Sequence, residues 1–131
     1  MTIDTSAIVA VLFAESGHLD LVDRMLAADV LRIGAPTLVE ASLVFEGRRG
    51  KAVGRLLDDL VAELGITVVP FGESEWRRAA AAFSKYGRGR HKAALNFGDC
   101  LAYATAAIAG DSLLFVGADF RHTDIASASN M

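Results

Sequence analysis

MTIDTSAIVAVLFAE, residues 1–15, decides the fold. Its short apolar segment, residues 2–4, predicts a buried strand, and residues 6–14 predict an apolar helix that follows without a linker. The acidic residue Asp4 stands at the junction between them. A strand that passes directly into a helix begins a strand–helix–strand unit, so this segment predicts a parallel sheet.

The alternation of short apolar segments and helical segments continues along the chain. We expect Gly65 to end one of the helices. Further helices are predicted at residues 19–28, 37–49, 53–64, 73–85 and 97–110, strands at 30–35, 66–70 and 113–116, and a fifth, edge element at 120–125. Continuous apolar strands between helices predict one α/β domain, residues 1–131, in which helices cover both faces of a mainly parallel sheet, an α/β/α sandwich.

Composition limits the classes of protein to consider. The chain has 131 residues, 53% of them hydrophobic, and this is enough for one core. Its formal net charge is -3, so nucleic-acid binding would require a local basic patch. The single cysteine, Cys100, excludes an internal disulfide. No apolar run is long enough to cross a bilayer and the start does not resemble a signal peptide, so we expect a cytoplasmic protein with no membrane partner.

Four acidic residues are expected at one edge of the predicted sheet. Asp4 and Asp119 follow strands, Glu40 lies one turn into a helix that follows a strand, and Asp99 lies at a helix start. Open parallel sheets bind ligands outside the carboxyl ends of their strands. Carboxylates gathered there would repel one another, and a hard divalent cation such as Mg²⁺ or Mn²⁺ would relieve that repulsion.

Each acidic residue also has a purely structural explanation. These explanations are a capping box at Thr37 and Glu40, similar spacing at Asn96 and Asp99, a helix cap at Asp4, and a turn at Asp119 after Gly117. Four independent caps need not converge on one edge of a sheet, which weakens the structural explanation of the set. The two interpretations are also compatible, because an acid near a helix start can both favour the helix dipole and hold a cation.

Four segments resemble the PIN-domain toxins of the VapC type. They are IDTSAIVAVLFAE (3–15), TLVEASLV (37–44), LNFGDCLAYATA (95–106) and LLFVGADFRHTDI (113–125). They cover nearly the whole chain in the family's order, and the segment around Asp99 is the most specific. The resemblance implies an α/β/α fold, an Mg²⁺- or Mn²⁺-dependent endoribonuclease that often acts on tRNA or ribosomal RNA, a cognate VapB-type antitoxin, and a toxin homodimer.

The resemblance also implies roles for individual residues. It places Asp4, Glu40 and Asp99 in a metal-binding triad, with Ser6 supporting the first aspartate and Asn96 preceding the third. The fourth acid remains open.

Many members of the family have consecutive acids in the closing segment, and Ala118 departs from that pattern. The fourth acid is therefore Asp119 or, further along, Asp124. In the mechanism that we hypothesise, Asp4, Asp99 and Asp119 hold Mg²⁺, which activates a water for attack on the phosphodiester. Glu40 then holds a metal-bound water or assists proton transfer.

Two basic groups are candidates for phosphate contacts, the alternative being solvated surface charges. The first comprises Arg48, Arg49, Lys51 and Arg55, and the second comprises Lys85, Arg88, Arg90, His91 and Lys92. Within the second, Arg88, Arg90 and Lys92 are the candidate RNA contacts. The aromatic residues Phe13, Phe45, Phe71, Trp76 and Phe83 are expected to pack rather than to stack on bases.

Two other classes of protein were weighed. A haloacid-dehalogenase-type phosphoryl-transfer enzyme would need an aspartate where Ser6 stands, and the pattern of a receiver-type signalling domain is absent. The remaining alternative is a catalytically silent PIN-like module that binds RNA or protein. The retained acids count against it, and a metal requirement for cleavage would decide the question.

Overall fold

The computed structural model describes residues 1–49 and 54–128 as alternating strands and helices. The elements are β1 Thr2–Ile3, α1 Thr5–Leu12, α2 His18–Ala27, β2 Arg32–Gly34, α3 Ala35–Arg49, α4 Gly54–Glu63, β3 Thr67–Val69, α5 Glu73–Tyr86, α6 Phe97–Ala109, β4 Leu113–Leu114 and a 3₁₀ helix Asp119–His122. The predicted order of strands and helices is therefore confirmed as far as β4. In this part of the chain no helix has the length and apolarity needed to span a membrane.

The four strands form one parallel sheet in the order β3-β2-β1-β4. From β1 the chain first builds outward through β2 and β3, and it then returns to place β4 on the other side of β1. The topological switch point therefore lies between β1 and β4. Ligand sites of open parallel sheets lie outside the carboxyl ends of the strands at such a point, so the fold directs attention to the residues that follow β1 and β4.

Helices pack on both faces of the sheet. One buried cluster joins Ile3, Ile33 and Leu114 to residues of α1–α4, and a second joins Leu113 to residues of α5 and α6. Leu113 and Leu114 are neighbours in β4 and point into different clusters, as alternate side chains of a strand must. The α/β/α sandwich expected from the sequence is confirmed.

Side-chain caps fix where two of the helices start. Asp4 precedes α1 and accepts a hydrogen bond from the Ser6 backbone N–H at 3.0 Å. Asn96 and Asp99 form the predicted capping box of α6, each side chain accepting from the other residue's backbone N–H. Gly65, which follows α4, has a φ of +62°, a conformation that strongly favours glycine, and the expected stop is confirmed.

Three expectations about the elements are wrong. The predicted buried strand at 66–70 is the edge strand β3, in which Thr67 and Val68 are exposed, because apolar sequence alone does not show which strand lies at an edge. Residues 120–125 form no strand. A 3₁₀ helix occupies Asp119–His122, and only Ser127 forms an isolated bridge to β4.

The third wrong expectation is the capping box at Thr37 and Glu40. Helix α3 begins at Ala35, so Thr37 already lies inside its first turn. The Thr37 side chain is buried and its hydroxyl has no partner among the described residues. Pro36 fits this early start, since proline is well tolerated in the first turn of a helix. Of the helix predicted at 53–64, Val53 lies outside the described residues.

Hydrogen bonds to Asp111 connect the amino ends of β1, β2 and β4. It precedes β4 and accepts a hydrogen bond from the Thr2 hydroxyl of β1 at 2.9 Å. It also accepts from Nη1 of Arg32, in β2, at 2.8 and 2.9 Å. Burial raises the pKa of Asp111, but these hydrogen bonds outweigh burial and lower the pKa below its ordinary value.

Replacing Asp111 by Asn should destabilise the fold. We expect a loss of about 1–3 kcal/mol at pH 7, the range for hydrogen bonds to charged groups, measured by urea denaturation. A lowered pKa stabilises the fold above the ordinary pKa, and this stabilisation is lost as pH falls through the folded-state pKa. The difference between wild type and variant should therefore shrink below about pH 4. Asp59→Asn, at an exposed position of α4, is the control, and an equal effect there would contradict the assignment.

Candidate active site

Asp4 is a buried carboxyl group at the switch point of the sheet. It ends β1 and is 5% exposed. Its Oδ2 accepts hydrogen bonds from the Ser6 hydroxyl at 2.6 Å and from the Ser6 backbone N–H at 3.0 Å. Burial raises the pKa of Asp4 to about 6; the bonds from Ser6 oppose this rise, and the charges of Asp99 and Glu40 add to it.

Ser6 connects the carboxyl ends of β1 and β4. While its hydroxyl donates to Asp4, the same oxygen accepts a hydrogen bond from the Val116 backbone N–H at 2.9 Å. Val116 follows β4, so this one hydroxyl spans the switch point. The supporting role expected for Ser6 therefore has a geometric basis.

Glu40 comes close to the same site from α3. It is half-buried, and its Oε1 accepts a hydrogen bond from the Thr5 hydroxyl. Its charge is among the causes that raise the pKa values of Asp4 and Asp99. The contact of Thr5 with Glu40 was not predicted from the sequence. The sequence feature that could have indicated it is a hydroxyl residue beside Asp4 at a helix start.

Asp99 approaches from the first turn of α6. Its Oδ2 accepts the Asn96 backbone N–H at 3.0 Å. Burial raises its pKa, and the charges of Asp119 and Glu40 also raise it, whereas Arg88 opposes the rise. The charges of Asp99 and Glu40 thus contribute to the raised pKa of Asp4, and the charge of Glu40 contributes to the raised pKa of Asp99, as convergence at one edge requires.

The two candidates for the fourth acid lie in different surroundings. Asp119 is exposed at the start of the 3₁₀ helix, and its charge acts on Asp99. Asp124 accepts a hydrogen bond from the Tyr103 hydroxyl, which lowers the pKa of Asp124, while its backbone N–H donates to Tyr86. The geometry therefore favours Asp119 as the fourth acid.

The carboxylate oxygens of the candidate site suit a hard divalent cation. Asp4 and Asp99 each use Oδ2 for their hydrogen bonds, and among the described residues neither Oδ1 receives a donor. In the same ranges, no three acidic, histidine or cysteine side chains are already gathered closely enough to hold an ion by themselves. Mg²⁺ does not need such a cage, because it keeps several waters and is commonly held by one or two carboxylates together with substrate phosphates.

The two ends of the basic loop before α6 are paired with each other. An isolated bridge pairs Gly87 with Leu95 at the two ends of the loop. Arg88 is exposed and acts electrostatically on Asp99, Arg90 lies 5.6 Å from the ring centre of Phe83, and Lys92 is exposed. Of the three candidate RNA contacts, the structure therefore brings Arg88 to the carboxylates.

The first basic group lies elsewhere. Arg48 and Arg49 lie over the ring of Phe13, with guanidinium-to-centre distances of 4.7 and 5.4 Å. Arg55 is exposed on α4, and Lys51 lies outside the described residues. Among the described residues, no contact links Arg48, Arg49 or Arg55 to the carboxylates, so these three add nothing to the candidate site.

An apolar groove of about 820 Å³ adjoins Glu40 between α3, α5 and α6. Trp76 and Phe83 line it and are 56% and 39% exposed, so the expectation that both would be packed is wrong. Phe97, which the sequence analysis did not single out, is 80% exposed beside them. Cys100 is buried, and burial, with the charge of Asp99, raises its pKa to about 11, so the thiol stays protonated.

The fold and the acidic edge are those of a known family. The sequence model of the PIN domain matches residues 1–126. The chain therefore belongs to the PIN-domain family.

Within this family its relatives are VapC ribonucleases. The chain is 41% identical to ribonuclease VapC28 of Mycobacterium tuberculosis, over 98% of this chain and 97% of that protein. It is 42% identical to ribonuclease VapC36 of the same organism, over 95% and 91%. These near-complete matches confirm the resemblance seen in the motifs: the chain is of the VapC type, the ribonuclease toxins of toxin–antitoxin systems.

Two solved structures share the fold. VapC20 of Mycobacterium tuberculosis, described as a sarcin–ricin loop cleaving toxin, superposes with a TM-score of 0.76 at 14% identity and 95% coverage of both chains. A toxin–antitoxin complex from Klebsiella pneumoniae gives 0.70 at 16% identity, covering 99% of this chain and 98% of the other. At such identities the likeness supports the fold alone.

The raised pKa of Asp4 predicts an unusual pH dependence of stability. Its ordinary value is 3.8 and its folded value is about 6, so the folded state binds more protons than the unfolded state between these values. Wild-type stability should therefore fall, relative to Asp4→Asn, as pH rises from 4 to 7, by at most about 3 kcal/mol.

Urea denaturation of metal-free protein at pH 4, 5.5 and 7 measures this difference. Asp59→Asn, at an exposed position, should change little relative to wild type over the same range. A wild-type stability that rose relative to Asp4→Asn would contradict a buried carboxyl with a raised pKa.

Proposed function

We propose that this protein is a metal-dependent endoribonuclease that hydrolyses RNA phosphodiester bonds, with Mg²⁺ as the cofactor and Mn²⁺ able to replace it. Ribonucleases of this family generally depend on a divalent metal. The observation that carries the proposal is the buried Asp4 at the switch point, whose pKa is raised in part by Asp99 and Glu40. Without a cation, burial and the charges of Asp99 and Glu40 oppose ionisation of Asp4.

Each residue of the site would have a defined task. Asp4, Asp99 and Asp119 would hold the cation. When bound, the cation supplies positive charge against the phosphodiester and lowers the pKa of a coordinated water. Glu40 would hold that water or accept its proton. Ser6 orients Asp4 through Oδ2, and Asn96 orients Asp99 in the same way, so that each Oδ1 stays available.

The substrate would be structured RNA. Exposed Arg88 beside Asp99, with Arg90 and Lys92 in the same loop, could contact phosphates that flank the cleaved bond. A fold neighbour is described as a sarcin–ricin loop cleaving toxin. The substrate class that we propose, tRNA or ribosomal RNA, is the one that the resemblance to VapC-type toxins implies. A silent RNA- or protein-binding module is the second candidate, and the exposed apolar groove beside Glu40 is the observation that favours it.

Cleavage of total cellular RNA tests the activity. We expect cutting with Mg²⁺ or Mn²⁺, none with excess chelator, and a loss of at least about 10²-fold in Asp4→Asn and Asp99→Asn, because each removes a charge that binds the cation. Asp59→Asn should cut like wild type, since this exposed carboxyl lies on α4. Equal cutting by Asp4→Asn would refute the proposed site, and folded protein that bound RNA without metal-dependent cutting would favour the binding module.

A cognate VapB-type antitoxin is the proposed protein partner. Toxins of the VapC type pair with antitoxins, and a toxin–antitoxin complex is among the structures that share this fold. The antitoxin would neutralise the ribonuclease.

A second copy of the chain is the occupant that we propose for the apolar groove. Phe97 and Leu43 line the groove and are 80% and 65% exposed, so the groove leaves a large apolar face uncovered. A twofold contact would pair this face with the same face of a second copy. Since Glu40 lines the groove, a dimer would bring two carboxylate sites to one cleft.

Leu43→Lys should convert a dimer to a monomer, because a charge would be buried in the contact. We expect light scattering to give twice the chain mass of 13.9 kDa for wild type and the single mass for the variant. Leu56→Lys is the matched control, because Leu56 is 55% exposed on α4 and does not line the groove. A monomeric wild type, or a dimer broken only by Leu56→Lys, would refute this interface.

A further inference from the structure

Gly98 lies unusually close to the carboxylate of Glu40. A Cβ atom added at Gly98 would lie within 3.0 Å of both Oε2 and Oε1 of Glu40, so the Glu40 carboxylate would have to move to make room for it. Gly98 lies in the first turn of α6, between Asn96 and Asp99. The helix backbone therefore forms one wall against the Glu40 carboxylate.

Backbone conformation does not explain why glycine stands at this position. The glycines with positive φ among the described residues are others, such as Gly110 and Gly117, which end a helix or form a turn. Inside a helix, alanine is favoured over glycine, because glycine loses more conformational freedom on folding. The close approach of Glu40 therefore explains why glycine stands at position 98.

Thr5 holds the other side of the same carboxylate. Its hydroxyl has one proton and two acceptors within reach, Oε1 of Glu40 and, at 3.4 Å, the carbonyl oxygen of Thr37. The contact with Glu40 is the shorter, and a hydrogen bond to an ionised acceptor is the stronger kind. The proton therefore goes to Glu40.

We infer that Thr5 and Gly98 are positioning residues that clamp the Glu40 carboxylate between a hydroxyl donor and a helix backbone. Thr5 belongs to α1 and Gly98 to α6, while Glu40 belongs to α3. The clamp therefore ties together the starts of the same helices that present Asp4 and Asp99. This inference rests on the proposed function, in which Glu40 takes part in cleavage.

The clamp would act by restricting a flexible side chain. A glutamate has three rotatable bonds, and an unrestrained carboxylate samples several positions. Fixing it before the substrate arrives removes that cost from the reaction, and a misplacement of about 1 Å can lower a rate by about 10²-fold. Loss of the clamp should therefore lower kcat and leave KM nearly unchanged.

Gly98→Ala tests the clamp directly. The atoms that the new methyl group would meet are the end of the flexible Glu40 side chain, so the fold can yield by moving that carboxylate. We expect a Tm equal to or higher than that of wild type and a kcat lower by about 10- to 100-fold. Gly47→Ala is the matched control, because Gly47 is also helical and a Cβ there would meet no atom within 4 Å.

Substitutions of Thr5 test the clamp independently of Gly98. Thr5→Val removes the hydroxyl at constant shape and should lower kcat to a similar extent, whereas Thr5→Ser should restore most of the loss. The double variant Thr5→Val/Gly98→Ala should lose less than the product of the two single effects, because both act on one carboxylate. Multiplicative losses would overturn a shared clamp.

The Glu40→Ala variant separates failure of the clamp from failure of the proposed function. Wild-type cleavage by Glu40→Ala would remove Glu40 from the mechanism and with it the reason for a clamp. A Glu40→Ala variant without activity, beside a Gly98→Ala variant with wild-type kcat, would overturn the clamp alone. A lowered Tm in Gly98→Ala that Gly47→Ala does not show would also overturn it, because damage to the fold would then explain the lost activity.

Discussion

The burial of one carboxyl group, that of Asp4, is the constraint on which the rest of the site depends. Removing a carboxylate from water is costly unless hydrogen bonds or opposite charges compensate. Here the compensation is incomplete, since two bonds from Ser6 leave the pKa at about 6. The same Ser6 hydroxyl accepts a hydrogen bond from the Val116 backbone N–H. One hydroxyl group therefore both connects β1 to β4 and orients the carboxyl group.

The same acidic residues stabilise helix starts and would serve the proposed chemistry, with a different oxygen atom for each task. Asp4 caps α1, and Asp99 completes the capping box of α6. Such caps use one carboxylate oxygen each and place negative charge at the positive end of a helix dipole. The second oxygen remains, and both helices start at the carboxyl edge of the sheet. Structural and catalytic explanations of these residues are therefore two descriptions of the same geometry.

The sequence was informative wherever a feature depends on nearby residues. The order of strands and helices, the caps at Asp4 and Asn96, and the stop at Gly65 follow from local pattern and were predicted. Features set by distant packing were missed. Glu40 has the spacing of a capping box but contacts Thr5 across two helices, and the approach of Gly98 depends on how α3 packs against α6. The edge position of β3 and the exposure of Trp76 likewise depend on what covers them.

Two low-exposure aspartates at opposite edges of the sheet have pKa values that are shifted in opposite directions. Asp111 lies at the amino edge, where Arg32 and Thr2 surround it with donors and its pKa is lowered. Asp4 lies at the opposite edge of the same sheet, where its charged neighbours are other carboxylates and its pKa is raised. A paired acid of the first kind stabilises a fold at neutral pH. An acid of the second kind destabilises it, and a bound cation would reverse that sign. The raised pKa of Asp4 is therefore the physical argument for the cation that we propose at this edge.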